Sequence, residues 1–291
     1  MKIIINGCSH STGDYFYKHK KLLLAKGFGV PALRFTWWNY LQKELGIREE
    51  NIYQLFYFLI NHLPNNISSP YSVLGSEVEV GFYNTLKEKF VEYITEDDKN
   101  AIEKYIFNDS FLISLANDGK GNDTIFLETF DVLRKIKKNK IQLDYLIIQW
   151  SSPVRKLVSD GKAYLYANPH ENYNYGLNFE PAGSLLTLNY MIILQEYLKE
   201  QNIKYIFLNY FPLDEEVKNS FLYNQLDFSK IVTATDSDHP IFSGWLSYIL
   251  SNKLNSDDYG HANIDGNKFI SKRIEDKMKK EYNDHANSIL L

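Results

Sequence analysis

The sequence predicts an α/β fold with a central parallel β-sheet. Short apolar runs bounded by turn residues recur along the chain, and longer segments of helical periodicity lie between them. Strands of this composition are typical of parallel sheets that are buried on both faces. Because parallel strands are joined by crossover helices, we expect a three-layer α/β/α sandwich with its active site beyond the carboxyl ends of the strands.

The strands and helices are predicted from these two patterns. The predicted strands are 2–6, 111–116, 145–149, 205–210 and a short one near 228–232. The predicted helices are 124–138, 185–201 and 265–279, each with an apolar stripe along one face.

The segment after the first strand is much longer than a crossover helix requires. Two helices are expected within it, at 34–45 and 52–63, before the break from Pro64 to Pro70. We therefore predict one domain over 1–291 with a helical insertion at about 14–108. The insertion either caps the active site or adds a helical layer that does not touch the substrate.

Composition and charge exclude several function classes. The net charge of −4 gives no support to a phosphate-backbone binder, so no nucleic-acid partner is expected. Cys8 is the only cysteine, which excludes an internal disulfide and a Cys-based zinc site. No secretory signal or membrane span is recognised, so we expect a cytoplasmic protein with no membrane partner, or a virion-associated one if it is phage-encoded.

The turn after the first strand, N-G-C-S-H-S-T-G, places Ser9 at the carboxyl edge of the sheet. A serine there is a candidate nucleophile if a histidine lies within hydrogen-bond reach. The alternative is a helix N-cap, a role that Ser9, Ser11 and Thr12 all suit. The turn matches neither a P-loop nor a dinucleotide fingerprint.

Two further turns offer hydrogen-bond donors. In A-N-D-G-K-G-N-D, the two glycines Gly119 and Gly121 allow a backbone amide to face the site, and Asn122 or Asp123 is suited to cap the next helix. In Q-W-S-S-P-V-R, Ser152 is a candidate oxyanion donor. Arg155 pairs either with a substrate group or with a surface carboxylate.

The acid–base pair has two candidates. Asp258 and His261 stand three apart before the last helix, a spacing that lets the carboxylate orient the imidazole as a general base. Asp236 and His239 repeat the same spacing upstream. The spacing alone leaves both pairs open.

Taken together, the four turns resemble those of the SGNH (GDSL-like) hydrolase family, in its divergent phage and bacterial form. The resemblance implies a flavodoxin-like sandwich in which Ser9 is the nucleophile, Gly119 supplies an oxyanion amide, and Asp258 and His261 complete the triad. It departs at the third block, where G-x-N-D is replaced by W-S-S-P and Ser152 stands in the place of the asparagine. Asn122 or Ser152 would then have to complete the oxyanion hole.

The resemblance implies a serine esterase that needs no metal or organic cofactor. The implied substrate is an O-acyl ester, above all an O-acetyl group on a carbohydrate; a free lipid or a thioester stays open. Alternatives are an inactive SGNH-like protein that binds glycan or belongs to a phage particle, an O-acyltransferase, or an enzyme whose nucleophile is Cys8. The oligomeric state is not predicted.

Overall fold

The computed structural model describes residues 1–7, 37–46, 111–114, 121–138, 140–153, 156–159, 164–167, 180–236, 239–255 and 261–289. The strands are β1 Lys2–Gly7, β2 Phe111–Ser114, β3 Tyr145–Trp150, β4 Lys156–Ser159, β5 Tyr164–Ala167, β6 Lys204–Asn209 and β7 Ile231–Val232. The helices are α1 Trp37–Glu44, α2 Asn122–Lys138, α3 Glu180–Glu200, α4 Trp245–Ser251 and α5 Ile264–Ile289.

Five strands form one parallel sheet in the order β2-β1-β3-β6-β7. Numbered by their sequence within the sheet, this is the order 2-1-3-4-5 of doubly wound α/β folds. The order reverses between β1 and β3, where Gly7 pairs with Gln149 near the carboxyl ends of both strands. This sheet confirms the α/β class that the sequence predicts.

One face of the sheet is covered by α2 and α3. Ile4, Leu146 and Phe207 point to this side and join one buried cluster with Ile125 of α2 and Leu188 of α3. Helix α2 contributes one stripe of apolar side chains to this cluster, because its apolar positions recur at helical intervals.

The opposite face is covered by α1, α4 and α5. Ile3 and Ile147 point to this side and pack in a second cluster with Leu41, Trp245 and Ile274. Strand residues alternate between the two clusters because successive side chains point to opposite faces. The described helices therefore lie on both faces of the sheet.

The structure agrees with most predicted elements and adds others. The strand predicted at 228–232 is shorter, because residues 228–230 form a 3₁₀ turn that Asp227 caps by accepting from the Ser229 N–H. Helix α1 falls inside the helix predicted at 34–45, whereas the one predicted at 52–63 lies outside the described residues. The antiparallel β4–β5 hairpin and α4 were not predicted.

The described part of the chain contains no helix that is both long and apolar enough to cross a bilayer. Most of the predicted insertion at 14–108 lies outside the described residues, so the insertion and the single-domain boundary stay predictions.

Candidate functional site

The sheet order places the candidate site at the carboxyl ends of β1 and β3. Open α/β sheets bind their ligands in the crevice where the strand order reverses. Ser9 follows the end of β1 by two positions in the sequence, and beyond β3 the chain continues into Ser151 and Ser152. Ser9, Gly119, Arg155 and Asp258 lie outside the described residues, so their roles stay predictions.

Asn6 fixes the end of β1. Its side chain is fully buried, and its Nδ2 donates to the Ile125 carbonyl at 3.2 Å and to the Thr129 hydroxyl at 3.0 Å. Its Oδ1 accepts from the Gly7 N–H at 2.9 Å. These bonds join the last residues of β1 to α2 and so fix the carboxyl end of β1 against that helix.

Asn122, the first residue of α2, fixes the end of β3. Its Nδ2 donates to the Ser151 carbonyl at 3.1 Å, and its Oδ1 accepts from the Ser151 N–H at 2.6 Å. Its Nδ2 also donates to the Thr187 hydroxyl of α3, and these two atoms lie 2.9 Å apart. The side chain is 3% exposed, so these bonds are shielded from water. To donate to an oxyanion, as the sequence predicts, Asn122 would have to give up one of them.

Ser151 and Ser152 differ in their surroundings. Ser151 is fully buried, and its hydroxyl lies among the buried polar atoms of the described chain that have no hydrogen-bond partner. Ser152 is partly exposed. The residue predicted as an oxyanion donor is therefore the more accessible of the two, at the carboxyl end of β3.

Helix α5 places His261 on the same edge of the sheet. Glu281, late in α5, contacts the hydroxyl of Tyr145, the first residue of β3, at 3.4 Å. At about 1.5 Å per residue the helix back to Ile264 spans about 25 Å, whereas β3 spans about 17 Å. Arg273, earlier in α5, donates to the carbonyl of Thr233, directly after β7, so α5 begins on the side of the carboxyl ends of the strands, and His261 precedes it by three positions.

The chain around His261 is tightly held. Asn263 caps α5, since its Oδ1 accepts from the Gly266 N–H at 2.9 Å, and its own N–H donates to the Leu254 carbonyl at 2.7 Å. Asn255 and Ala262 form a bridge across the segment that contains Asp258. The histidine is partly exposed next to this bridge.

The alternative pair, Asp236 and His239, is arranged differently. The Asp236 carboxylate, almost fully exposed, binds Arg273 at 2.7 Å, which lowers the pKa of Asp236. The His239 Nδ1 lies 2.8 Å from the hydroxyl of Tyr223, a residue whose pKa is raised by burial. In a triad a carboxylate would occupy that Nδ1 position. Here a phenol occupies it.

Sequence reasoning missed three residues around the site. Ser151 and Thr187 lie 29 and 65 positions from Asn122, and Tyr223 lies 16 positions from His239. The sequence does indicate a helix-capping role for Asn122, which lies between Gly121 and the predicted helix. For Tyr223 we find no sequence signal.

The described residues contain no group of side chains that is suited to bind a metal ion. No cluster of three or more His, Cys, Asp or Glu side chains within these ranges could hold a metal ion.

No protein-family model matches the sequence, and no curated protein matches it. One solved structure is similar at low level: the crystal structure of an acetyl xylan esterase, AlAXEase. The TM-score is 0.42 and the sequence identity 13%, over 94% of this chain and 98% of that chain. A TM-score of 0.42 does not establish a shared fold.

Proposed function

We propose that the protein is a serine esterase of the SGNH type, with its active site at the carboxyl ends of β1 and β3. The observation that carries the proposal is the pairing of β1 with β3 at the point where the strand order reverses. This pairing brings the chain that leaves Gly7 toward Ser9 next to the chain that leaves Trp150 toward Ser152.

The position of His261 supports the same site. Its helix runs from the carboxyl edge of the sheet to the amino edge, so the histidine precedes α5 on the edge from which the Ser9 turn departs. Asp258 precedes His261 by three positions in the sequence. We assign His261 as the general base and Asp258 as its orienting carboxylate.

The proposed reaction is acyl transfer through a covalent intermediate. His261 accepts the hydroxyl proton of Ser9 as Ser9 Oγ attacks the ester carbonyl, and the backbone amides of Ser9 and Gly119 bind the resulting oxyanion. Collapse expels the alcohol, which takes the proton from His261. Water then attacks the acyl-enzyme with His261 again as the base, releasing the acid and restoring Ser9.

Ser152 is proposed as the third oxyanion donor. Its partial exposure at the end of β3 suits this role, whereas the amide of Asn122 is already bonded to Ser151 and Thr187. The proposed substrate class is an O-acyl ester, and within it an O-acetyl group on a carbohydrate, as the SGNH resemblance implies. The proposed chemistry uses no metal or organic cofactor.

The test is the initial rate of p-nitrophenyl acetate hydrolysis by the wild type and by variants of the triad. Ser9→Ala, Asp258→Asn and His261→Ala are each expected to lower the rate by about 10³-fold or more. Ser11→Ala, in the same turn, is the matched control and should keep the wild-type rate within about threefold. Cys8→Ser checks the thiol, and a loss of rate there with Ser9→Ala still active would reassign the nucleophile.

The inactive alternative and the transferase give different results in the same assay. A folded wild type that releases no p-nitrophenol and still binds glycan would overturn the esterase proposal. A wild type that releases p-nitrophenol faster when a sugar acceptor is added, with an acylated sugar among the products, would favour acyl transfer.

A further inference from the structure

We propose that Asn122 is a positioning residue for the oxyanion hole and acts through Ser152. The inference rests on the proposed esterase function, because it assigns a task to a residue that touches no reacting atom. It also replaces the donor role expected for Asn122 from the sequence.

The two bonds between Asn122 and Ser151 hold one residue by both of its backbone groups. The amide of Asn122 donates to the Ser151 carbonyl and accepts from the Ser151 N–H, as a neighbouring strand would. The peptide bond is planar, so a fixed Ser151 carbonyl also fixes the N–H of Ser152. The position of the Ser152 backbone amide is therefore set by a side chain from α2.

A third bond keeps the Asn122 amide in place. Its remaining hydrogen reaches the Thr187 hydroxyl, which in turn donates to the Gly183 carbonyl of α3 at 2.8 Å. The end of β3 is thus joined to the beginning of α2 and to α3. Since all of these groups are buried, rotation of the Asn122 amide would leave several polar groups without partners, which is costly.

Ser152 stands where the SGNH resemblance implies an asparagine, and this difference makes such a device useful. A serine hydroxyl reaches less far than an asparagine amide, so its backbone must be placed more accurately to bind the same oxyanion. Misplacement of a catalytic donor by about 1 Å commonly costs about 100-fold in rate. Asn122 supplies this placement at the residue directly before Ser152.

A double-mutant cycle separates positioning from general structural support. Ser152→Ala is expected to lower kcat for p-nitrophenyl acetate by about 100-fold, the usual effect of losing one oxyanion donor. Asn122→Ala should lower kcat by about tenfold or more with KM within about twofold. In the Ser152→Ala background, Asn122→Ala should lower kcat by less than about threefold, because its target is gone.

Asn209→Ala is the matched control. Asn209 is also a buried asparagine at a strand end, and its Nδ2 donates to the Ile241 carbonyl at 2.6 Å. The effect of Asn209→Ala on kcat should be independent of Ser152. In the double variant with Ser152→Ala, the two effects should therefore multiply. If Asn122→Ala does not fold, Asn122→Asp replaces it in the cycle, since it keeps the size and the acceptor for the Ser151 N–H.

The outcomes distinguish this inference from the proposed function. If folded wild-type enzyme neither hydrolyses the ester nor reacts with a fluorophosphonate at Ser9, both fail. If the wild type is active but the effects of Asn122 and Ser152 multiply as those of Asn209 do, only the positioning role fails. Non-multiplying effects on kcat, with KM unchanged, support it.

Discussion

The Tyr223 hydroxyl lies 2.8 Å from the Nδ1 of His239, and Tyr223 itself is buried against Phe228 and Phe242. A phenol therefore holds the imidazole nitrogen that a carboxylate holds in a catalytic triad. Asp236, three positions earlier, binds Arg273 instead. This arrangement makes His239 part of an aromatic cluster and leaves His261 as our choice for the base.

The choice between the two histidines is tested by replacing each in turn. His261→Ala should lower the rate of p-nitrophenyl acetate hydrolysis by about 10³-fold or more, because Ser9 loses its proton acceptor. His239→Ala should lower it by less than about tenfold. Tyr223→Phe, which removes only the hydroxyl, serves as the control for disturbing the cluster. A reversed order of the two histidine effects would make His239 the base.

Asn6 should be important for stability. Asn6→Ala removes the bonds to Ile125, Thr129 and Gly7 and leaves buried groups without partners, so unfolding free energy should fall by about 2–4 kcal/mol. Thr129→Val removes one partner while keeping the shape, and should cost about 1 kcal/mol. Urea unfolding followed by circular dichroism measures both. Equal losses for the two variants would contradict the central role of the Asn6 amide.

Gly266 is required by a close contact at the beginning of α5. A Cβ there would lie 2.7 Å from the Leu254 carbonyl oxygen, and overpacking of this kind costs about 1–3 kcal/mol. Alanine gains up to about 1 kcal/mol over glycine within a helix, which offsets part of that loss. Gly266→Ala should therefore lower the unfolding free energy by about 1–2 kcal/mol. Ile264→Ala, at an exposed position in the same turn, should cost less.

Glu275 should contribute to the acid sensitivity of the fold. Its side chain is buried, and hydrogen bonds from Lys279 and then Lys272 hold the pKa of the carboxyl below its ordinary value of 4.5. A lowered folded-state pKa gives stability that is present above the unfolded pKa and is lost as the pH falls through the folded one.

Glu275→Gln removes this titration. The stability difference between wild type and variant should therefore shrink as the pH is lowered from 6 toward 3. Urea unfolding at several pH values measures it. A difference that stays constant over this range would show that the ion pairs of Glu275 do not contribute.

The sheet was predictable because its strands are continuous apolar runs. Ile3, Ile4 and Ile5 form such a run in β1, and Tyr145 to Ile148 form one in β3, so burial on both faces is visible in the sequence. The β4–β5 hairpin has short strands of mixed polarity, and its signal is the Asp160-Gly161 dipeptide that is typical of hairpin turns.

The site was predictable where strand ends determine it and unpredictable where side chains meet across the fold. Ser152 could be placed at the end of β3 from the strand pattern. The contact between Asn122 and Ser151 could not, because β2 is separated from β3 by β1 in the sheet, and this strand order depends on pairing between distant segments. The packing of that helix depends on tertiary contacts that local patterns do not specify.

The central claim is that Ser9 is an activated nucleophile, and its reaction with a fluorophosphonate tests it most directly. Folded wild-type protein is treated with the probe, digested, and its peptides are mapped by mass spectrometry, with Ser9→Ala and His261→Ala in parallel. The account predicts a single adduct on Ser9, absent from Ser9→Ala and strongly reduced in His261→Ala. Folded wild-type protein that carries no adduct, or carries it on another residue, would contradict the account.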